Sequence, residues 1–521
     1  MRTRLRVFVT AATAASLLAL PAPAGAHPAG RDETETPASL LVDPFDRDLI
    51  LEGLGATDPA TLPAAAATTS IANMTHVGNS DRDGTINSDL AFWGNLAYAG
   101  SYSGFRILDV SRPQPREIVD FSCNTPQGDV SVYEMGKRRL LFQSVDSPQT
   151  REDCESRNTA LVDGFRQPGF EGIRIFDVTD PAAPRFVDGV RTACGSHTHT
   201  LIPDRQNRRA VIYVSSYPLG TGETPPGTDT GEQPPCFRPH MKISIVTVPF
   251  AAPDEATVKE QPLSTHTRFS KIGAFQACHD IQVFLPLDVA VGACAGEGQI
   301  WDISDPLNPT TTDADEGRHT HIQDPTALGD TFEFVHNAIV TWDGGAFAIA
   351  DESSGGLGAE CHGPATVNGL YYFYELVRPG DPPPPARGRY TLPRAQTPEI
   401  CQEHNGNVIP VRGRYLMTAA FYQGGTTVVD FSDLSAPREV GHADVYDETG
   451  APDTWSSYWY NDRIYANDGL STIPRHNRTA APGPMSNRGL DVFTFQDGDA
   501  TLTAKRWRYA NPQTQESSQV P

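Results

Sequence analysis

Four histidines stand at the start of successive runs of apolar, β-branched residues. They are His199 in His-Thr-Leu-Ile-Pro, His279 in His-Asp-Ile-Gln-Val-Phe, His336 in His-Asn-Ala-Ile-Val and His404 in His-Asn-Gly-Asn-Val-Ile-Pro. Neutral imidazole nitrogens are common ligands of Cu, Fe and Zn ions. If the four runs are strands that begin near a common point, the sequence predicts one transition metal site. The alternative is that each ring only ties neighbouring elements together through hydrogen bonds.

Three glutamates lie close to these histidines in the sequence and are the candidate catalytic residues: Glu333, Glu352 and Glu403. A positioned carboxylate transfers protons as a general acid or base, and one beside a metal-bound imidazole fixes its tautomer. The pattern therefore predicts a metal site with acidic surroundings. Oxidoreductase chemistry on a small molecule is the favoured reaction, and hydrolytic or lyase chemistry stays open.

Two His-Thr-His phrases add further nitrogen ligands. Alternate residues of a strand share one face, so His197 is predicted to lie beside His199 and is a candidate fifth ligand. The second phrase, with His319 and His321, precedes the fifth predicted unit and is expected on a rim. A polar strand edge would explain both phrases without a metal.

A turn that contains Asp81 and Asp83 has the opening spacing of a Ca²⁺-binding loop. Leu90 stands where such a loop needs its bidentate glutamate. An Asx-rich turn explains the same residues, so both interpretations remain open.

A phrase that occurs four times organises the elements that would position these side chains. Each copy is a β-branched and aromatic run that ends in Asp and Ser or Thr, with Pro a few residues later. The copies span residues 104–111, 172–179, 298–304 and 425–432. Each predicts a buried strand, an Asx-type turn and an outgoing strand. One such unit cannot bury both of its faces alone, so the repetition indicates a modular array.

The repeated phrase, Gly-x-x-[Ile/Val]-x-Asp-[Val/Ile/Phe]-[Ser/Thr]-x-x-x-x-Pro, resembles the LVIVD repeat of secreted and cell-surface bacterial proteins. The resemblance implies a β-propeller and an exported protein, and it implies no activity and no site residues. Two copies depart slightly, because Pro115 falls one residue early and Gly298 lies one residue nearer its Asp.

The other alternating runs fit units of four strands in which the phrase is the third strand. The predicted fold is therefore all-β, a seven-bladed β-propeller of four-stranded antiparallel sheets, and the inserted loops leave six or eight blades open. The last unit is expected to run from Trp455 to Trp507. The first strands of a propeller line its channel, so the four histidines would ring one mouth.

The ends of the chain predict export. Residues 1–26 read as a signal peptide, with a basic start, an apolar run and a small-residue cleavage site. Residues 27–70 form a Pro/Ala-rich lead-in, residues 71–512 the single propeller domain and residues 513–521 a C-terminal tail. No further stretch is apolar over the length of a membrane span, so we expect a secreted, extracellular protein.

Eight cysteines in an exported chain predict disulfides. Cys278 and Cys294 flank a probable hairpin and are expected to pair across it. For Cys123, Cys154, Cys194, Cys236, Cys361 and Cys401, pairing between sequence neighbours is the prediction.

The net charge of −23 argues against nucleic acid as a partner and against anionic membrane surfaces. Two function classes remain. One is a metal-dependent enzyme that acts on a small molecule at the channel mouth. The other is a non-catalytic extracellular scaffold that binds a protein or glycan through the Pro/Gly-rich loops at 221–239, 355–368 and 472–487.

Overall fold

The structure is a computed structural model that describes residues 69–82, 85–162, 165–217, 236, 240–266, 276–294, 296–315, 317–353, 370–394, 401–445, 452–469, 488–496 and 506–516. All of them belong to the second of two units, Ala38–Pro521. The predicted signal peptide lies outside the described residues, as do the lead-in up to residue 68, Asp83 and Cys361. The three long loops also lie outside them, apart from Cys236.

The described residues form β-strands and three short 3₁₀ helices, Pro253–Glu255, Leu285–Leu287 and Thr326–Leu328. The strands are β1 (Ser70–Ala72), β2 (Met74–Ser80), β3 (Asn87–Trp93), β4 (Leu96–Ser101), β5 (Gly104–Asp109), β6 (Arg116–Ser122), β7 (Gln127–Met135), β8 (Arg138–Gln149), β9 (Leu161–Val162), β10 (Phe165–Arg166), β11 (Phe170–Asp177), β12 (Arg185–Arg191), β13 (Thr198–Asp204), β14 (Arg209–Ser215), β15 (Lys242–Pro249), β16 (Thr257–Pro262), β17 (Ile281–Phe284), β18 (Val289–Cys294), β19 (Glu297–Asp302), β20 (His319–Ile322), β21 (Val335–Val340), β22 (Ala346–Asp351), β23 (Leu370–Glu375), β24 (Gly388–Tyr390), β25 (Asn405–Ile409), β26 (Leu416–Ala420), β27 (Thr426–Asp430), β28 (Arg438–Asp444), β29 (Thr454–Tyr460), β30 (Arg463–Asp468), β31 (Leu490–Phe495), β32 (Tyr509–Ala510) and β33 (Thr514–Gln515).

The strands build antiparallel sheets of four, which confirms the all-β prediction. Strands β7, β8, β11 and β12 form one sheet, β13–β16 another and β21–β24 a third. The β3–β6 and β17–β20 sheets each carry a short extra strand, β32 on β3 and β33 on β17. A larger sheet joins β25–β28 to β29–β31 through parallel pairing of β25 with β29.

The first strands of these sheets contact one another in a closed cycle, from β3 through β7, β13, β17, β21, β25 and β29 back to β3. Within a sheet, burial decreases from the first strand to the fourth. Strand β3 is buried at every residue, whereas β6 is mostly exposed. Apolar side chains fill the space between neighbouring sheets. Phe105, for example, lies 5.1 Å from Phe176 of the next sheet, between ring centroids. This radial arrangement is that of a β-propeller.

The repeated phrase forms the predicted turn in every copy. The Asp carboxylate accepts a hydrogen bond from the backbone N–H two residues later, at 2.8–3.0 Å, in the pairs Asp109–Ser111, Asp177–Thr179, Asp302–Ser304 and Asp430–Ser432. In three copies an Arg at the start of the next strand, Arg116, Arg185 or Arg438, donates to the same carboxylate. The third strand is thereby joined to the fourth.

The two ends of the described chain close the ring of sheets. Strand β2 is the outer strand of the β29–β31 sheet, with Met74 opposite Phe495. The expectation that this sheet ends at Trp507 was wrong, because its outer strand is β2. The segment after Trp507 leads into β32, which pairs with β3 of another sheet. The buried Arg106 of β5 donates to the carbonyls of Ser80 and Asp81 and holds the end of β2. Closing the ring with an N-terminal strand pairs an edge that would otherwise stay open.

The outer strand of the β17–β20 sheet is β20, so His319 and His321 lie within a sheet and pair with Trp301 and Gln299. Thr310 hydrogen-bonds to Asp302 and Arg318 in the connection that precedes β20.

Three disulfides join sequence neighbours, as predicted: Cys123–Cys154, Cys194–Cys236 and Cys278–Cys294. The third crosses the β17–β18 hairpin. Disulfides persist in oxidising compartments. In the described part of the chain, no helix has the length and hydropathy needed to cross a membrane.

The C-terminal segment, residues 509–515, runs along the ends of several first strands. Asn511 exchanges two hydrogen bonds with the backbone of Val132 in β7, at 2.7 and 2.9 Å. Thr514 donates to the carbonyl of Leu201 in β13, and β33 pairs with β17. A cavity of about 380 Å³ is lined by this segment together with Gln282 and Asn407.

Removing β1 and β2 is expected to open the ring. A chain that starts at residue 85 leaves the edge of β31 unpaired and deprives the Arg106 guanidinium of two carbonyl partners. We expect a lower midpoint of thermal unfolding and aggregation, measured by calorimetry and light scattering. A chain that starts at residue 69 keeps both strands and is the control. Equal midpoints for the two chains would contradict the proposed closure.

The Asp430 turn is expected to stabilise the fold in a pH-dependent manner. Burial opposes ionisation of Asp430, but hydrogen bonds from Ser432 and Arg414 outweigh it and lower its pKa below the usual 3.8. A lowered pKa gives stability that is present above the unfolded-state pKa and is lost as pH falls through the folded-state value. Asp430→Asn should lower the free energy of unfolding by about 1–3 kcal/mol at neutral pH, with the difference shrinking towards pH 3.

Urea unfolding at several pH values measures this difference. Asp433→Asn is the matched control, because Asp433 forms the same kind of turn with Ser435 but is exposed. A larger loss of stability in Asp433→Asn than in Asp430→Asn would show that burial of the turn is unimportant.

Candidate functional site

Four histidines lie side by side at the starts of the first strands of successive sheets. His197 precedes β13, His279 precedes β17, His336 is the second residue of β21 and His404 precedes β25. Their ring centroids are 4.5, 4.0 and 4.4 Å apart in that order. We call these four side chains the histidine arc. The predicted convergence of imidazoles from separate sheets is therefore present for four of the five candidates.

The fifth candidate, His199, does not join the arc. Its Nε2 lies 2.7 Å from Ser131 Oγ and its Nδ1 lies 2.8 Å from Ser144 Oγ, both in the preceding sheet. Burial alone lowers the pKa of His199 to about 3. The ring is thus neutral and ties two sheets together, which is the structural role left open by the sequence.

Both rings of the His-Thr-His phrase contact the preceding sheet. His199 lies between Ser131 and Ser144, and His197 is hydrogen-bonded to Asp146 of β8. Thr198, which stands between them, donates to the carbonyl of His279 in the following sheet. The ring of His197 also reaches the ring of His279.

At one end of the arc, an acidic partner sets the tautomers. His197 Nδ1 lies 2.9 Å from Asp146 Oδ2, and His197 Nε2 lies 2.9 Å from His279 Nε2. Because a carboxylate accepts, neutral His197 carries its proton on Nδ1 and presents a lone pair to His279. His279 then donates through Nε2, which leaves a lone pair on its buried Nδ1. Among the described residues this Nδ1 has no hydrogen-bond partner, and it lies 3.6 Å from Asp280 Oδ1.

At the other end, Glu352 lies between two rings. His336 Nε2 is 3.6 Å from Glu352 Oε2, and His404 Nε2 is 4.0 Å from Glu352 Oε1. His404 Nδ1 donates to the carbonyl of Trp455, so the neutral ring carries a lone pair on Nε2 that faces the carboxylate. The Tyr422 hydroxyl donates to Glu352 Oε1 and holds it in place. A lone pair and a carboxylate that face one another favour a cation between them.

The electrostatics keep His279 and His336 neutral. Burial lowers the pKa of His279 and of His336 well below the usual 6.5, and neighbouring imidazoles lower it further. Neutral rings are the form that binds metal ions. Two sets have ligand atoms within 4.8 Å of one another, His279–Asp280–His336 and His336–Glu352–His404. Metal bonds of about 2.0–2.1 Å place ligand atoms about 3.3 Å apart, so small side-chain movements would complete either set.

The predicted catalytic glutamates have different positions. Glu352 lies in the arc, as described. Glu333 accepts a hydrogen bond from Ser353 Oγ at 2.8 Å. Glu403 is fully buried, and its charge helps to raise the pKa of the Tyr371 phenol, after burial itself. Of the three glutamates, Glu352 is therefore the one whose carboxylate lies beside the histidines of the arc.

An acidic layer that the sequence analysis missed lies one residue further along the first strands. Asp89 accepts hydrogen bonds from Asn405, at 3.0 and 3.1 Å, and from Tyr458 at 2.8 Å. Burial raises the pKa of Asp89 and Asp280 to about 7 and that of Asp129 well above 3.8. The signal was available, since each arc histidine at positions 279, 336 and 404 is followed by Asp or Asn.

The predicted Ca²⁺ loop can be described in part. Asp83 lies outside the described residues, and the carbonyl of Asp81 accepts a hydrogen bond from Arg106. The calcium hypothesis therefore stays a prediction.

The chain has local similarity to one sequence family and low overall similarity to solved structures. The LVIVD repeat family matches residues 407–445, and no curated protein sequence matches the chain. The β-propeller domain of Cps50 (Swd1) from Myceliophteria thermophila is 10% identical, with a TM-score of 0.43 over 82% of this chain and 100% of that one. Sqt1 from Chaetomium thermophilum is 11% identical, with a TM-score of 0.41 over 82% and 92%.

A second structure of Sqt1, bound to the N-terminus of the ribosomal protein L10, is 11% identical with a TM-score of 0.40 over 75% of this chain and 85% of that one. The matched repeat contains the fourth copy of the phrase, at 425–432. The chain is therefore an all-β protein of the propeller type that carries an LVIVD repeat.

Proposed function

We propose that the protein is a secreted, seven-bladed β-propeller that binds one transition metal ion, Cu, Fe or Zn, in the histidine arc. With Cu or Fe, the site would serve oxidoreductase chemistry on a small molecule at the channel mouth. Glu352 is the proposed carboxylate of the site, either as a ligand or as the group that moves a proton.

The cycle of first strands supports the blade number. Seven strands, β3, β7, β13, β17, β21, β25 and β29, contact one another in order among the described residues. Each begins a group of antiparallel strands, and the last group is completed by β2. Three disulfides support export, since such cross-links persist outside the reducing cytosol.

One observation carries the metal proposal. His404 is held by the Trp455 carbonyl so that its Nε2 lone pair faces Glu352, and His336 Nε2 faces the other oxygen of the same carboxylate. Two buried imidazoles and a carboxylate in this arrangement form a ligand set of the kind used by Zn, Fe and Cu. Tyr422 and Asp146 supply the outer hydrogen bonds that orient metal ligands.

The surroundings of the arc suit a reactive site. The rings of Phe334 and Tyr217 lie 5.5 and 5.9 Å from the His279 ring and shield it with apolar surface. The side chain of His197 is 15% exposed and connects the arc to solvent. The first and second sheets place Asp89 and Asp129 near the channel instead of histidines, so the ligand set is one-sided. A one-sided set leaves coordination positions for a substrate.

The alternative function, a non-catalytic extracellular scaffold, depends on loops outside the described residues. It stays a prediction. Its partner would be a protein or a glycan, as the sequence analysis expects.

We expect the arc to hold about one equivalent of transition metal. A His279→Ala/His336→Ala double variant should lose that equivalent, because it removes His336, the ring common to both ligand sets. It should keep its fold. Elemental analysis of the secreted protein and circular dichroism measure the two quantities. The control is His199→Gln, which loses hydrogen bonds between sheets but should retain the metal.

The proposal fails if the wild-type protein takes up none of Cu, Fe or Zn after reconstitution. It also fails if the double variant retains the full metal content.

Glu352→Gln tests the role of the carboxylate. The amide keeps an oxygen for the Tyr422 hydroxyl but removes the negative charge that faces His336 and His404. We expect metal affinity, measured by chelator competition, to fall about 10–100-fold. Tyr422→Phe keeps the charge and should lower affinity less. An unchanged affinity in Glu352→Gln would exclude the carboxylate from the site.

A further inference from the structure

A second group of histidines lies away from the arc, at the outer edge of the β17–β20 sheet. His321 belongs to β20, Asp313 to the connection between β19 and β20, and His266 to the segment after β16. Strand β20 is three strands from β17 in the sheet order, a separation of about 14 Å at the usual strand spacing. We call His266, Asp313 and His321 the rim cluster.

The ligand atoms of the rim cluster converge on one point. His321 Nε2 lies 3.0 Å from Asp313 Oδ1, and His266 Nε2 lies 3.1 Å from the same oxygen. The two imidazole rings are stacked, with centroids 3.5 Å apart and an angle of 16° between their planes. All three ligand atoms lie within 4.8 Å of one another. Two ring nitrogens thus face one carboxylate oxygen, and the three atoms are close enough together to share one ion.

A buried carboxylate fixes the orientation of His321. Glu297, which is fully buried, accepts a hydrogen bond from His321 Nδ1 at 2.8 Å and another from the backbone N–H of His266 at 3.1 Å. Without a metal, His321 Nε2 donates to Asp313 Oδ1, and a bound ion would take the place of that proton. A carboxylate behind an imidazole whose other nitrogen faces outward is the arrangement found around bound zinc.

We propose that His266, Asp313 and His321 bind a divalent transition metal ion, of which Zn²⁺ is the representative. Two imidazoles and one carboxylate are a zinc ligand set that leaves a fourth position for water. Nitrogen-to-oxygen distances of 3.0 and 3.1 Å are close to the separation of about 3.3 Å that metal bonds of about 2.0–2.1 Å require.

The exposure of the ligands indicates what such an ion would do. His266 is 43% exposed and Asp313 58%, whereas His321 is 11% exposed. The ion would therefore exchange with solvent and would join the segment that follows β16 to the outer strand of the next sheet. We infer a structural site that holds this connection against β20, independent of the arc.

The neighbouring His319 provides a matched control. It lies on the same strand, two residues before His321, but its Nε2 is 3.0 Å from Gln299 Oε1 and does not face Asp313. Its ring centroid lies 4.3 Å from that of His321, with 39° between the ring planes, so a loss of general packing would appear in a His319 variant as well.

Zn²⁺ titration of the full-length protein tests the proposal, with isothermal calorimetry on the wild type and on five variants. His266→Ala, Asp313→Asn and His321→Ala should each lose one binding site or weaken it about 10–100-fold. His319→Ala should retain it. The His279→Ala/His336→Ala variant should also retain it, which separates this site from the arc. In that double variant Co²⁺ should give the visible absorption of a tetrahedral site, and adding His266→Ala should abolish the signal.

Thermal unfolding with and without Zn²⁺ gives a second readout, because an ion that binds the folded state raises its unfolding midpoint. The Zn²⁺-dependent rise should be smaller in His266→Ala than in His319→Ala. If His321→Ala does not fold, His266→Ala still decides the question, since its side chain is largely exposed. The proposal is overturned if all three ligand variants bind Zn²⁺ as the wild type does, or if the Co²⁺ spectrum does not depend on His266.

Discussion

The contact of each first strand with the first strands of both neighbouring sheets is the constraint on which the rest of the structure depends. It brings the starts of β13, β17, β21 and β25 to one level, although their sequences span more than 200 residues. Side chains at these starts have no room to face solvent, so they meet one another. The histidine arc and the acidic layer beneath it are both consequences of this packing.

Burial gives the channel its chemical character. Imidazoles that are buried without a counter-charge stay neutral, and carboxyls such as Asp280 and Asp129 hold their protons more strongly than in water. Buried polar atoms are normally paired. His279 Nδ1, His336 Nε2 and Asp129 Oδ1 are exceptions within the described part of the chain. The two imidazole atoms belong to the arc, where the proposed metal site lies.

The same residue type does different work according to its hydrogen-bond partners. His199 is as buried as His279, but two serines occupy both of its nitrogens. His197, two residues earlier, contacts Asp146 of the same preceding sheet and also the His279 ring of the following sheet. Sequence alternation predicts the face on which a ring lies and not the partners that it meets there. Asp146 and Tyr422 escaped notice because their partners lie 51 and 70 residues away in the sequence.

The sequence by itself determined most of the strands, the Asx turns of the repeated phrase, three disulfide pairs and the histidines that begin first strands. These features depend on local alternation, turn chemistry and short separations along the chain. Only the tertiary structure decided which strand closes the ring, where the outer strand of the β17–β20 sheet lies and which histidines meet. Those outcomes depend on pairings between distant segments, such as β2 with β31, and on which neighbouring sheet each side chain faces. A local sequence pattern does not determine these pairings or the sheet that a side chain faces. An unpaired strand edge can pair with any strand that the fold places beside it.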